Sequence, residues 1–480
     1  MVTAILPELL LTAGAIVLLL LPFLRSARSL VPLSFALIAV AAAIPVGLLL
    51  RGHSLGGALF SGVFMFDKLT FFFQELILLS VGLVVMTVAG DARSGLRDRR
   101  EFYCLLLLTT VGLLLMPGAQ NLVLLYLALE LVSVLSYLLS GFKKQDGLSV
   151  EAALKYLLVG LLSTGVLLYG ISLIYGLAGT MDIRAIPVEA LRQSPAVTLA
   201  ALILLAVGFG FKLSLVPFHG WAPDLYEGAP APVVSFISVA PKIATFAVLI
   251  RLFMVWLSPI ADLWAILFSF LAVITMTVGN LAALPQTNLK RLLAYSSIAH
   301  AGTMLIGLAA GTAFGAGALA YYAVAYLLMN TGLFMAVTAM ESAEGRSDLA
   351  VYSGLAQREP TMAALMAVCL LSLGGIPPLA GFFGKMWVFG AALKGNLAWL
   401  AVAGAVNSVI AAFYYLKVVK TLYLDPLPAG CKPIPCVESL CFGMSFCVVM
   451  LFVLGLWQGP LLEILRLVIP SQLPPGSVPW

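Results

Sequence analysis

The sequence predicts an all-α polytopic membrane protein: about fourteen transmembrane helices, with two inverted five-helix repeats, each holding a discontinuous helix. Three observations predict it. Of 480 residues, 62% are hydrophobic and only 10% are charged, whereas soluble domains carry about 25% charged residues. Apolar stretches near the ~20 residues that a bilayer requires recur along the whole chain. The chain also resembles itself at an offset of about 165 residues.

The elements follow in order. Residues 3–24 are apolar with no Ala-x-Ala cleavage site behind them, so they read as a retained first helix and not a removed signal peptide. Spans at 30–50 and 69–90 complete an N-terminal three-helix segment, residues 1–101. The first repeat, 102–230, holds spans at 102–117, 120–141 and 150–177 and ends in a broken helix over 197–226; a span at 231–257 follows it. The second repeat, 262–395, holds spans at 262–284, 289–310 and 316–340 and a broken helix over 361–393. Spans at 397–423 and 440–468 close the chain within residues 397–480. Connections are short, so residues 1–480 form one membrane domain.

Lysine and arginine in the connections predict the orientation. Fifteen lie in odd-numbered connections: Arg25, Arg28, Arg93, Arg97, Arg99, Arg100, Lys143, Lys144, Lys290, Arg291, Arg346, Arg358, Lys417, Lys420 and Lys432. Even-numbered connections hold five: Arg51, Lys68, Arg184, Arg192 and Lys394. Odd connections therefore face the cytoplasm, and both termini face the other side. The net charge of +5 is spread through these loops with no basic block, which argues against a nucleic-acid partner.

The repeat rests on three matches in order. Val111-Gly112 before Pro117 matches Val278-Gly279 before Pro285. Residues 161–165, LLSTG, match residues 328–332, LMNTG. Ser214-Leu215 with Pro217 and Gly220 matches Ser372-Leu373 with Pro377 and Gly381. Five helices separate the copies, and an odd number inverts the second copy. Each copy ends in a helix that cannot be continuous, at Pro217 and at Gly374-Gly375-Ile376-Pro377-Pro378. A proline removes an amide and crowds the carbonyl four residues back, freeing Leu213 C=O and Leu373 C=O. Lipid leaves such groups unsatisfied, whereas a cavity or buried water satisfies them. A simple proline kink is the bland alternative. Twin breaks, each beside a lysine, favour the architecture of secondary transporters.

Lys155, Lys212, Lys242 and Lys385 sit within apolar spans, and so does Glu130. An ionised side chain at bilayer depth costs at least ~2.5–3.5 kcal/mol, a cost that no purely structural span requires. Each lysine must find a carboxylate, line a hydrated cavity or lose its proton, which is the chemistry of a proton pathway. Glu130 lies near the bilayer centre and pairs, in this reading, with Lys212. Lys242 follows Pro241 with no acidic residue in its own helix, and Lys385 follows the second break. Lys155 lies nearer a helix end, where a snorkelling anchor is as good an account as a relay. His219 and His300 are imidazoles suited to relaying a proton through two nitrogens, or equally to packing. Glu8, Glu75, Asp224 and Glu227 fall near span ends, where solvated roles are the default. Tyr126, Tyr156 and Tyr295 are weaker candidates for contacts with a water chain.

No Walker A motif, dinucleotide fingerprint, haem-ligand histidine pair or iron–sulfur cysteine cluster is present. Of the six cysteines, Cys431, Cys436, Cys441 and Cys447 are spaced by five, five and six, without a C-x-x-C pair or a nearby histidine. They read as small packing residues and not as a metal site, together with Cys104 and Cys369. Ion movement through this chain must therefore be coupled to partners or to a gradient.

At residues 210–244 (GFKLSLVPFHGWAPDLYEGAPAPVVSFISVAPKIA), 289–304 (LKRLLAYSSIAHAGTM) and 371–389 (LSLGGIPPLAGFFGKMWVF), the chain closely resembles the antiporter-like membrane subunits of respiratory complex I. The resemblance spans essentially all of residues 1–470. It is greatest to the branch that ends after a fourteenth helix and carries lysine, not glutamate, in the twelfth. The resemblance implies a central hydrophilic axis of Glu130, Lys155, Lys212, Lys242 and Lys385. It further implies a proton-translocating subunit of an NADH:quinone oxidoreductase in the bacterial cytoplasmic membrane, surrounded by other membrane subunits, including homologous antiporter-like ones. No cofactor is expected in this chain, since NADH, FMN, iron–sulfur clusters and quinone belong to sister subunits in that family. The cysteine-bearing loop near 431–436 matches no family motif. Rival readings are a subunit of a related hydrogenase, F420H2- or ferredoxin-linked complex, a cation/proton antiporter subunit, and a scaffold with vestigial lysines.

Overall fold

A computed structural model describes residues 5–20, 27–50, 57–427, 434, 437–470 and 473. Arg25, Arg51, Cys431, Lys432, Cys436 and both chain ends lie outside the described residues. Among the described residues, eleven helices are long and apolar enough to cross a membrane, and shorter apolar helices accompany them.

The N-terminal segment is α1 (Leu6–Leu20), α2 (Ala27–Leu50) and α3 (Lys68–Ala89). Between α2 and α3 lies a short antiparallel hairpin, β1 (Gly57–Leu59) and β2 (Phe64–Phe66), which the hydrophobic pattern did not suggest. Asp67 starts α3 by accepting from the Thr70 amide, an N-cap that satisfies one orphan donor. The next group is α4 (Arg100–Leu115), α5 (Leu122–Ser140), α6 (Gly147–Ala178), the short α7 (Val188–Gln193), α8 (Pro195–Leu213) and α9 (Trp221–Gly228). Then α10 (Ala231–Leu249) runs on into a π-helical stretch, Ile250–Trp256. The following group is α11 (Ala261–Ala283), α12 (Leu289–Ala309), α13 (Ala313–Glu344), the short α14 (Leu355–Arg358), α15 (Pro360–Gly374) and α16 (Ala380–Lys394). The last helices are α17 (Ala398–Tyr423), α18 (Glu438–Leu456) and α19 (Gly459–Val468). The expected span at 440–468 is therefore two helices that part at Trp457, where φ/ψ of −130°/74° leaves the helical region.

Local structures recur about 166 residues apart. Both α6 and α13 have 32 residues, and both stop at a left-handed glycine, Gly179 (φ 67°) and Gly345 (φ 76°), where a side chain would cost about 1–2 kcal/mol. Asn121 and Asn288 cap α5 and α12, and each forms a bridge beyond the long helix, to Asp182 and Asp348. Leu122 N donates to Met181 O (2.9 Å) as Leu289 N donates to Ser347 O (2.8 Å).

The two helix breaks also share one geometry. Ser214 (φ 59°) and Gly375 (φ 85°) take left-handed positions just past α8 and α15. Leu215 N then reaches Gly210 O at 2.7 Å and Ile376 N reaches Leu371 O at 3.0 Å. This six-to-one closure satisfies late carbonyls of each half-helix. Cis peptide bonds precede Pro217 and Pro378.

Helices α10, α12 and α13 form the centre: nearly all their apolar spans are buried, whereas α2, α6, α11 and α17 show much of theirs outward. Beyond α10, Arg251 is buried and grips Asp67 through two bonds (2.7 and 3.0 Å), Thr70 Oγ1 (3.0 Å) and Pro117 O (2.7 Å). That clamp ties the end of α10 to the start of α3 and the end of α4. Burial raises the Asp67 carboxyl, but the charge and hydrogen bonds of Arg251 and the Thr70 cap outweigh it and hold it below its ordinary range.

Candidate functional site

Three lysines are buried along the middle of the molecule. Lys212, in the last turn of α8, is 4% exposed and its Nζ has no hydrogen-bond partner. It lies instead among the rings of Phe211 (5.4 Å), Tyr137 (5.8 Å) and Tyr156 (5.9 Å), contacts that suit a cation. The expected pairing with Glu130 is open in this structure: Glu130 is half-buried in α5 and its Oε1 has no partner either. Gly160 in α6 leaves the space that the Tyr137 hydroxyl fills, since a Cβ there would stand 1.9 Å from it.

Lys242 lies within α10 and is 1% exposed. Its Nζ donates to Ser297 Oγ (2.5 Å) and Ser297 O (3.0 Å) on α12. The same serine hydroxyl meets Tyr226 OH of α9 and Tyr326 OH of α13, both at 2.9 Å. One helical turn along α12, His300 stands between two phenols, Tyr322 OH on Nδ1 (2.7 Å) and Tyr415 OH on Nε2 (2.9 Å). Tyr415 also bonds the Ser296 hydroxyl. An imidazole between two hydroxyls can take a proton on one nitrogen and release it from the other. The Tyr326 ring lies 5.6 Å from the imidazole, between the two groups of bonds.

Lys385 in α16 is 5% exposed and donates to Gly374 O (3.0 Å), the carbonyl that ends α15. A cation there meets the negative end of a half-helix dipole. Lys385 and His300 line one small cavity, about 10 Å³, with Asn280, Asn407, Ser408 and Tyr414. It has room for about one water.

Two expected members stand apart. Lys155 is 46% exposed on α6, paired with Glu151 and Asp224 at 2.7 Å each. Asp224 also pairs with Arg291 (2.9 Å), which reaches Glu227 (2.8 Å). Lys155 thus belongs to an outer charge cluster and not to the buried row. His219 lies half-buried in the turn between α8 and α9, and its Nδ1 lacks a partner. Sequence reading missed Ser297, Tyr226, Tyr322, Tyr326 and Tyr415. Two signals were available: Ser296-Ser297 one turn before His300, and Tyr322 with Tyr326 at i, i+4. Arg251 was missed because it sits near a span end.

Of the cysteines, Cys441 is disulfide-bonded, which corrects its reading as a packing thiol. Cys104, Cys369 and Cys447 are free and buried.

Buried lysines on and between two broken helices, one held by a serine hydroxyl and one sharing a small cavity with an imidazole, are the features of an antiporter-like membrane subunit. The family model described as NADH:quinone oxidoreductase/Mrp antiporter matches residues 119–411. NADH-quinone oxidoreductase subunit N of Moorella thermoacetica is 43% identical over 402 residues, 83% of this chain and 84% of that protein. Subunit N 2 of Sorangium cellulosum is 42% identical over 483 residues, 95% of each. A chain of respiratory complex I from Thermus thermophilus, solved with bound aureothin, superposes with a TM-score of 0.79 at 34% identity, covering 94% of this chain and 97% of that one. The chain belongs to the NADH-quinone oxidoreductase subunit N family of antiporter-like membrane proteins.

Proposed function

We propose that this chain is the antiporter-like subunit of an NADH:quinone oxidoreductase in the bacterial inner membrane, and that it carries protons through a buried relay. Redox chemistry is assigned to sister subunits with their NADH, FMN, iron–sulfur clusters and quinone. The carrying observation is the polar stripe of α12. Ser297 holds Lys242, His300 stands one turn on, and a cavity shared with His300 leads to Lys385.

In this reading Lys212 and Glu130 form the input station. The open arrangement of the pair is the state in which Lys212 has given up its carboxylate partner. Closing it would stabilise the lysine charge and opening it would favour proton release toward Lys242. From Lys242 the proton passes by the hydroxyls and His300 to Lys385, which exchanges with the opposite side. Lys155 acts as part of the outer charge cluster, and His219 as a polar group of the first break.

Fourteen spans, two inverted repeats and termini on the non-cytoplasmic side complete the proposal. The recurring caps and bridges about 166 residues apart, and the breaks about 161 apart, support the repeat. The loop charges support the orientation.

Lys212→Ala tests the relay. Quinone-linked proton transfer in membrane vesicles should fall sharply while the complex still assembles. Full coupled pumping by an assembled variant would refute the assignment.

A further inference from the structure

Arg93, Lys143 and Arg346 surround a vestibule of about 300 Å³ that opens on the face carrying most of the basic connections. Its floor is an ion pair: Lys290 Nζ lies 2.7 Å from Glu341 Oε1 and donates to Ala229 O at 2.8 Å. Ser347 donates to the same carboxylate oxygen at 2.7 Å. Glu341 and Thr338 of α13 both line this space.

Further in along α13 stand Phe334, Asn330 and Tyr326. Residues spaced by three or four share one face of a helix, so Glu341, Thr338, Phe334, Asn330 and Tyr326 form one ladder. Its inner end is polar and connected. Asn330 donates to Ser238 Oγ (2.6 Å), and Tyr326 bonds Ser297, the partner of Lys242. Its outer end is polar and opens to the vestibule. Phe334 is its only apolar rung, fully buried and set edge-on against Tyr226 at 6.0 Å. Tyr226 borders both sides: its hydroxyl reaches Ser297, and the next residue, Glu227, lines the vestibule. Thr338 and Asn330 are about 12 Å apart along the axis, and the apolar rung between them offers water no partner.

We propose that Phe334, packed on Tyr226, is a dry plug separating the vestibule from the Lys242 network, and that proton uptake requires it to move. The role in uptake rests on Lys242 being a proton carrier; the plug itself does not.

Thiol labelling of the assembled, purified complex with a water-soluble methanethiosulfonate tests it, read at the substituted peptide by mass spectrometry against the unsubstituted complex. Arg346→Cys, at an exposed position lining the vestibule, should label. Asn330→Cys should stay unlabelled while Phe334 is present and should label about tenfold faster in the Phe334→Ala background. If Phe334→Ala does not assemble, Phe334→Val is read in the same way. In proteoliposomes without electron transfer, Phe334→Ala should raise the proton leak, and adding Lys242→Ala should remove that increase. Equal labelling of Asn330→Cys with and without Phe334 would overturn the plug, as would an unreactive Arg346→Cys, which would mean that the vestibule itself is closed to water. Faster labelling with a leak indifferent to Lys242→Ala would keep the plug and overturn the relay through Lys242.

Discussion

Ser297 is the residue on which the centre of the site converges, since its hydroxyl meets Lys242, Tyr226 and Tyr326 at once. Ser297→Ala removes that oxygen and leaves two phenols and an ammonium short of a partner, a loss of about 1–3 kcal/mol. The complex should assemble with a lower melting temperature, and its pumping rate in vesicles should drop. Ser297→Thr, which keeps the hydroxyl, should recover much of both. Unchanged pumping in Ser297→Ala would remove this serine from the path. Lys242 and Lys385 were legible in the sequence because a charge in an apolar helix has few explanations. The partners of Lys242 were not. Serine and tyrosine are ordinary in membrane helices, and these come from α9, α12 and α13, which only folding brings together. For Lys155 the sequence left an outer anchor and a relay equally open, because α6 is apolar on every side and does not tell which face is buried; its pairing with Glu151 and Asp224 suits the anchor.

Helix ends set the second level. Proline and glycine made both breaks readable, but not their closure by left-handed residues at Ser214 and Gly375. A Cβ at Gly375 would stand 3.0 Å from Lys385 Cδ and 3.2 Å from its Nζ. Gly375→Ala should therefore cost about 1–2 kcal/mol in backbone strain and displace Lys385, lowering pumping more than stability. Ser214→Gly has no such conflict and should pump normally. Activity measured per assembled complex separates the two. The Arg251 clamp acts on assembly instead. Arg251→Ala leaves the half-buried Asp67 without its charge partner and should cost about 1–3 kcal/mol, seen as loss of assembled complex on native gels. Normal yield and melting temperature would show that the clamp is dispensable.

At the scale of the molecule, loop charge predicts sidedness and the relay predicts function. Reporter fusions in the 94–98 connection and after Trp480 should report opposite sides of the membrane; the same side would mean an odd error in the span count. The relay is tested most directly by Lys242→Arg in the reconstituted complex, with protons pumped per electron pair measured beside Lys242→Ala. Arginine keeps the positive charge but does not release its proton at usable pH. If Lys242 carries protons, the two assembled variants should lose pumping to nearly the same extent. Full pumping by Lys242→Arg would contradict the account, leaving Lys242 as a fixed charge beside a path that runs elsewhere.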